Sequence, residues 1–197
     1  MRADARQNYD HLLAVARDVV TEQGADASLR DIARRAGVGL GTLYRHFPTR
    51  EALLEVLLRA SLDELTQKAG ELQTSSSPDE ALASWFREAV AFAHRYRGVV
   101  ALMAAAIADP GSALHASCVT VRSAGTRLLL RAQAEGMARA DLDGADLFAL
   151  IGALGWLGDQ PSFAPRIDHL LGIIASAVLT KPASSDVKGE RRRRIPP

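Results

Sequence analysis

Basic side chains cluster around a short glycine-containing stretch near the amino terminus. Arg30, Arg34 and Arg35 fall on one predicted helix, and Arg45 and His46 fall on the next. Basic groups on neighbouring helices supply the charge and the N–H donors that bind phosphate oxygens. The chemistry that these residue types indicate is the binding of a polyanion, and double-stranded DNA is the expected partner.

The elements that would position these cations have the spacing of a helix-turn-helix. Such a motif needs a small residue where its two helices nearly touch, here Ala33, and a turn glycine four positions later, here Gly37. The inward faces would be supplied by Ile32, Ala36, Val38, Leu43 and Phe47. The alternative is an ordinary helical hairpin with a solvated basic face. The whole arrangement favours the helix-turn-helix.

The segment from about residue 10 to residue 55 resembles the DNA-binding head of the TetR family. The resemblance rests on Asp31-Ile32-Ala33, on Ala36-Gly37-Val38 and on Leu43-Tyr44-Arg45-His46-Phe47. It implies a bacterial one-component repressor that binds a palindromic operator as a homodimer. The expected fold is all-α, with an N-terminal three-helix DNA-binding head followed by a helical-bundle effector and dimerisation domain, about nine helices in total.

Carried over position by position, the resemblance implies six DNA-binding residues, Ser28, Thr42, Tyr44, Arg45, His46 and Arg50, and the charge pattern adds Arg30 as a seventh. Arg45 is expected to read a base, since a guanidinium can donate to guanine O6 and N7 together. The other six are expected to hold or face phosphates. The chain departs from the family pattern at Gly39, Leu40 and Arg50, which bears on operator preference rather than on DNA binding.

Charge is distributed unevenly along the chain. Residues 1–50 carry eight Arg and six acidic residues, net +2, whereas residues 51–181 carry eleven basic and fifteen acidic residues, net −4. Residues 182–197 carry five basic and two acidic residues, net +3, and include Arg191–Arg194. This pattern suits a helix-turn-helix head over 1–50, an effector-binding and dimerisation domain over 51–181 and a disordered basic tail over 182–197.

Helix boundary signals are frequent, and strand signals are nearly absent. Ser28 and Asp31 have the spacing of a capping box, and Thr49 is a predicted cap for a long helix from residue 50 to about residue 72. A further helix is predicted from about residue 112 to residue 138. A connector follows it, and Asp143 in that connector is a predicted cap for the next helix.

The body is expected to hold a small, largely apolar effector. Its large, soft side chains are Trp85, Phe86, Phe92, Met103, Met137, Phe148 and Trp156. In the TetR family such residues line the effector cavity. The alternative for each of them is plain core packing.

Two strongly apolar terminal helices predict a homodimer. The expected interface residues are Leu147, Leu150, Ile151, Leu154, Leu170, Leu171, Ile174 and Val178. Two such helices from each chain would form an isologous four-helix interface, as in the family. The alternative is that these residues belong to the protomer's own core.

Composition and motifs argue against other classes of protein. Cys118 is the only cysteine, which excludes an internal disulfide and favours a reducing compartment. The apolar runs are too short to cross a bilayer and no signal-peptide pattern begins the chain, so a cytoplasmic location without membrane contact is expected. No metal-ligand spacing, cofactor motif or catalytic set is present. A helical protein-interaction adaptor with a vestigial helix-turn-helix remains the alternative, followed by a small helical enzyme.

Overall fold

The computed structural model describes residues 2–75 and 77–180, and side chains from residue 6 onward except that of Ser75. The predicted basic tail lies outside the described residues. Nine α-helices fill the described part of the chain: α1 Arg2–Gln23, α2 Leu29–Arg35, α3 Leu40–His46, α4 Arg50–Ser75, α5 Pro78–Arg95, α6 Val99–Ala108, α7 His115–Ala134, α8 Gly144–Asp159 and α9 Ile167–Val178. The all-α expectation is confirmed.

Helices α1, α2 and α3 form a small head whose apolar side chains belong to the same core as those of the body. Leu12, Val19, Ile32 and Leu43 are buried there. Gly37 adopts φ +66 immediately after α2, a left-handed conformation that suits glycine, and the Val38 N–H donates to the Ala33 carbonyl over 3.0 Å. The predicted glycine turn of the helix-turn-helix is therefore present, and Ala33, the predicted small residue, is buried.

Helix α4 connects the head to the body. Leu53 and Leu57 are buried near its start and Leu62 and Leu65 farther along, so one face of the helix contributes to a continuous core. The helix packs against α5 and α7 in the body. Thr49 accepts a hydrogen bond from the Ala52 N–H (3.1 Å), which confirms the predicted cap.

The body is a bundle in which α5 lies between α4, α7 and α8. Trp85 on α5 is fully buried, and α7 accommodates its indole at Gly125. A Cβ at Gly125 would lie 2.3 Å from Cη2 of Trp85. The absence of a side chain at this position therefore allows α5 and α7 to pack closely.

The capping box predicted at the start of α2 does not form. Ser28 makes no side-chain cap bond, and the Asp31 carboxylate, which would close the other half of a capping box, accepts hydrogen bonds from Arg34 and from Gln23 (2.8 Å). A complete box occurs at the start of α8, where Asp143 Oδ1 accepts from the Asp146 N–H (2.9 Å) and Asp146 Oδ2 from the Asp143 N–H (3.0 Å).

The predicted helix over 112–138 is shorter at both ends. Gly136 adopts φ +68 and the Met137 N–H donates back to the Ala132 carbonyl (2.8 Å), which ends α7. The chain then pairs with the segment after α9: the Arg139 N–H donates to the Val178 carbonyl (3.0 Å). This antiparallel bridge between Ala138 and Leu179 fixes the carboxyl end of α9 beside α7.

No single helix in the described part of the chain is long and apolar enough to cross a bilayer. Helices α5 and α6 meet the length and composition criteria only when taken together, as a pair bent by 107°.

Candidate nucleic-acid interface and ligand cavity

Helix α3 turns one side into the head and presents the other to solvent. Leu43 and the following Phe47 are buried, whereas Tyr44 is 46% exposed and Arg45 and His46 are exposed. The buried pair fixes the rotation of the helix about its axis. The side chains expected to contact DNA are therefore presented outward on a rigid element.

Arg45 is oriented by its own helix. Its Nη2 donates to Thr42 Oγ1 over 3.1 Å and its Nε lies 3.4 Å from the Gly41 carbonyl. Within the described residues no carboxylate forms a salt bridge with Arg45. Its charge therefore remains available to an external acceptor, and Thr42 acts as a support for the guanidinium.

A groove of about 450 Å³ lies beside α3, between the start of α2 and the start of α4. Ser28, Arg30, Tyr44 and Arg50 line it, so four of the seven predicted DNA-binding residues meet in one concavity. Arg50 Nη1 forms a salt bridge with Asp26 over 3.0 Å, which satisfies part of its guanidinium. An incoming phosphate would have to compete with that carboxylate.

His46 has a different environment. Its ring contacts Tyr9 of α1 edge-on, with centroids 5.5 Å apart, and Tyr9 also stacks on Phe47 at 5.6 Å. This aromatic group joins the end of α3 to α1. Any contact of His46 with a phosphate would be made by a ring that is already fixed by packing.

Arg34 and Arg35, which we expected to face phosphates, are paired within the protein. Arg34 bonds to Asp31, and Arg35 bonds to Glu22 over 2.6 Å and to Asp31 over 3.1 Å. The hydrogen bond from Arg34, followed by that from Gln23, lowers the pKa of Asp31 below its ordinary value. The hydrogen bond to Glu22 raises the pKa of Arg35. This end of α2 is therefore closer to neutral than the Arg count predicts.

The body contains an apolar cavity of about 350 Å³. Fifteen residues from α4 to α8 line it, and all are aliphatic, aromatic, methionine, alanine or glycine. Trp85 and Phe148 meet edge to face in its wall, with centroids 5.9 Å apart. A volume of this size is at the lower end of the range for small-molecule sites, roughly 300–1,000 Å³.

Four of the seven predicted effector residues line this cavity: Trp85, Phe92, Met103 and Phe148. The other three do not. Phe86 is buried elsewhere in the core, Met137 lies in the turn after α7, and Trp156 is 57% exposed on the outer side of α8. For Phe86, Met137 and Trp156 the expectation of a cavity position is therefore wrong.

Sequence reasoning missed the contribution of α6. Val100, Ala104 and Ile107 line the cavity beside Met103, and α6 contains no polar residue in its ten positions. Several of these positions are exposed or half-buried, including Ala104. The all-apolar sequence of α6 is the signal that could have identified the cavity wall, whereas its partial exposure is seen only in the structure.

The expected dimer residues divide into two groups. Leu147, Ile151, Leu154 and Val178 are buried in the protomer's own core, which corrects the expectation that they form an interface. Leu150, Leu170, Leu171 and Ile174 are partly buried and pack against that core. The large side chains that α8, α9 and their connection expose are Trp156, Phe163 and Ile173.

The described residues contain no group of three or more His, Cys, Asp and Glu side chains arranged to hold a metal ion. Cys118 is buried, and burial raises the pKa of its thiol. Its protonated, inaccessible state is that of a core residue.

Two family models match the chain. Residues 12–57 match the model for bacterial regulatory proteins of the TetR family, and residues 77–177 match the C-terminal domain of SbtR-like transcriptional regulators. The second match alone spans half of the chain.

Known structures agree with these matches over most of the chain. A TetR transcriptional regulator from Streptomyces coelicolor is 35% identical, with a TM-score of 0.63, over 88% of this chain and 99% of that chain. The ketosteroid transcriptional regulator KstR2 of Mycobacterium tuberculosis is 25% identical, with a TM-score of 0.59, over 89% of this chain and 96% of that chain.

Among curated relatives, the transcriptional repressor KstR2 of Mycolicibacterium smegmatis is 38% identical over 94 residues, 46% of each protein. That match spans less than half the length of the relative. Taken with the helix-turn-helix head and the apolar cavity, these matches establish that the chain belongs to the TetR family of bacterial transcriptional regulators.

Proposed function

We propose that this protein is a homodimeric, cytoplasmic repressor that leaves a palindromic operator when a small apolar molecule enters the cavity of the body. The observation that carries the proposal is the position of α6. This helix forms one wall of the cavity, and the corner immediately before it is hydrogen-bonded to the DNA-binding head. No catalytic activity is part of the proposal.

For the head, we assign base reading to Arg45 and phosphate binding to the groove lined by Ser28, Arg30, Tyr44 and Arg50. Support comes from Arg45, which forms no salt bridge within the part of the chain that the structure describes, and from the convergence of the four groove residues. Base contacts specify a sequence, whereas phosphate contacts fix register and orientation. Thr42 would support the Arg45 guanidinium, and His46 would hold α3 against α1.

For the dimer, we propose the outward faces of α8 and α9 rather than the buried residues first expected. Ala149, Ala153 and Trp156 recur on one exposed side of α8, and Ile173 is 53% exposed on α9. Alanines permit helices to approach closely, and a half-exposed Trp is typical of an interface. Two copies of this face would form an isologous four-helix contact.

Such a dimer would set the distance between the two α3 helices. They must lie about 34 Å apart to enter successive major grooves on one side of the duplex. A ligand that shifts α6 would move the corner at Arg97 and Gly98 and thereby the head, which changes that distance. Effector and DNA would then oppose each other reciprocally, with a coupling of about 1–3 kcal/mol.

The test is operator binding by the full chain, measured by fluorescence anisotropy with DNA from upstream of its own gene. We expect salt-dependent binding by a dimer and release by an apolar ligand. A chain that sediments as a folded monomer at micromolar concentration, or that shows no preference for any sequence in a binding-site selection, contradicts the proposal.

A further inference from the structure

The apolar cavity of the body opens to solvent between α6 and α8. Two of its lining residues, Ala104 on α6 and Ala149 on α8, are exposed and therefore lie at the opening. A molecule can consequently bury an apolar chain in the cavity while one of its ends stays at the surface. The groups around the opening then decide which end groups are bound.

One side of α7 runs past this opening. Near the start of the helix, His115 Nδ1 lies 3.0 Å from the Ala106 carbonyl of α6. About three turns later, Thr126 packs against Gly144 at the start of α8, where an added Cβ would collide with the threonine side chain. With 3.6 residues per turn, positions 115, 122 and 126 share one side of the helix. Arg122 therefore lies between the contact with α6 and the contact with α8.

Helix α8 brings its edge of the opening into the same interval. It begins against α7 at Gly144 and contacts α6 farther along, where a Cβ at Gly152 would lie 3.3 Å from Cγ1 of Val100. Ala149 lies between these two contacts. The opening and Arg122 therefore both occupy the space that α6 and α8 leave beside α7.

Arg122 is half-buried, and within the described residues its guanidinium has no hydrogen-bond or salt-bridge partner. Val121, its neighbour in the sequence, lines the cavity. Val119, one turn earlier on the side of Arg122, is 40% exposed. Helical side chains lean toward the start of their helix, so the arginine extends over this uncovered stretch. Its charge has the cavity on one side and water on the other.

In the described part of the chain, the acids at the adjoining helix ends are held by local bonds. Asp146 in the first turn of α8 accepts from the Asp143 N–H over 3.0 Å, and Asp109 at the end of α6 accepts from the Gly111 N–H over 2.9 Å. Helix α6 contains no charged residue, and α8 contains none along its middle. The charge of Arg122 is therefore available to an anion at the opening.

We infer that the ligand is an amphipathic carboxylate, whose apolar chain lies in the cavity and whose carboxylate is bound by Arg122 at the opening. A guanidinium can donate two parallel hydrogen bonds to a carboxylate. This inference rests on the proposed ligand-sensing function and specifies its ligand class: the chain supplies contact area, and the charge selects acids over alcohols and amines of equal length. Ala149 also belongs to the face proposed for dimerisation, so a partner helix would cover part of the opening. A carboxylate that loses water in this way needs a cationic partner.

The first experiment compares decanoate, 1-decanol and decylamine, which at neutral pH are an anion, a neutral molecule and a cation on the same chain. Their binding to the full-length protein is measured by isothermal titration calorimetry. We expect Arg122→Gln to weaken decanoate binding about tenfold or more, because a charge-assisted hydrogen bond is lost, and to change 1-decanol binding less than about twofold. Retained binding of the alcohol also shows that the cavity of the variant is intact.

Arg127→Gln is the matched control, since Arg127 is an exposed arginine on another side of the same helix. Its substitution should leave the affinities for both ligands unchanged. Equal losses of decanoate affinity in the two variants, an equal loss of alcohol affinity in Arg122→Gln, or no binding of decanoate to the unsubstituted protein overturns the inference.

Charge reversal tests the same contact in the opposite direction. Arg122→Glu places a carboxylate at the opening, so we expect decylamine to bind about tenfold or more tightly than it binds the unsubstituted protein, and decanoate to lose its affinity. An unchanged order of the three ligands in this variant contradicts the inference.

Operator affinity is measured on the same samples by fluorescence anisotropy. Decanoate binding that depends on Arg122 but leaves operator affinity unchanged supports the inference and contradicts the proposed function. Operator release by 1-decanol and decanoate alike, with no dependence on Arg122, contradicts the inference and leaves the proposed function standing.

Discussion

The backbone N–H of Ala25 donates to the carbonyl of Arg97 over 2.8 Å, which joins the head to the corner between α5 and α6. The Arg97 guanidinium also donates to the Glu22 carbonyl at the end of α1. On the other side of the corner, the Gly98 N–H donates to Asp159 Oδ2 at the end of α8 over 3.0 Å. One corner therefore contacts the head, the cavity helix α6 and the helix proposed for dimerisation.

Arg97→Ala should weaken the communication between ligand and DNA. It removes the side-chain bond to Glu22 and leaves the backbone bond to Ala25, so the head remains attached with less restraint. We expect ligand affinity to change little and the ligand-induced loss of operator affinity to fall severalfold. Anisotropy titrations with and without ligand measure this ratio. Arg87→Ala, on α5 and away from the corner, is the control, and an unchanged ratio in Arg97→Ala would show that the corner does not transmit the effect of the ligand.

Gly98→Ala tests the corner by backbone strain. Gly98 adopts φ +80, which an alanine reaches at a cost of about 1–2 kcal/mol. We therefore expect a lower free energy of unfolding in urea. Gly70→Ala is the matched substitution, because Gly70 is an exposed position of helix α4 where an added Cβ meets open space, and it should stabilise the protein by up to about 1 kcal/mol. Similar effects of the two substitutions would argue against strain at Gly98.

Arg45 is assigned to read a base and Arg50 to bind a phosphate, so their alanine variants should behave differently. Arg45→Ala should cost about 1–3 kcal/mol at one base pair per half-site and relax the sequence preference there. Arg50→Ala should weaken all sequences alike and reduce the salt slope by about 1 for each phosphate that is no longer neutralised. A binding-site selection for each variant distinguishes the two effects. An unchanged preference in Arg45→Ala would mean that Arg45 does not read bases.

The head was more predictable from sequence than the body because its positions are defined by local geometry. In a helix-turn-helix the position of Ala33 must hold a small residue, that of Gly37 must adopt a left-handed conformation, and that of Leu43 must be apolar. Capping patterns are less decisive. Ser28 with Asp31 and Asp143 with Asp146 have the same spacing, yet only the second pair forms a box. The Asp31 carboxylate is bonded instead to Gln23 and Arg35, which the spacing alone does not reveal.

The dimer residues illustrate a second limit of sequence reasoning. Helix α8 is apolar on more than one side, and periodicity alone does not indicate which side meets α5 and α7. The structure buries Leu154 and exposes Trp156, two positions farther along. The assignment of core and surface depends on neighbours that are remote in sequence, and the cavity beside α6 depends on the same packing.

The choice between these two faces can be tested by placing a charge at each. Trp156→Glu puts a carboxylate on the exposed face of α8, so we expect a folded protein that sediments as a monomer and loses cooperative operator binding. Leu154→Glu puts the same group into the core and should prevent folding, which circular dichroism and solubility would report. Leu130→Glu is the matched control: Leu130 and Trp156 are both 57% exposed, but Leu130 lies on α7, so its substitution should leave the dimer intact. A dimer that survives Trp156→Glu and also survives Ile173→Glu would place the contact between copies on another surface.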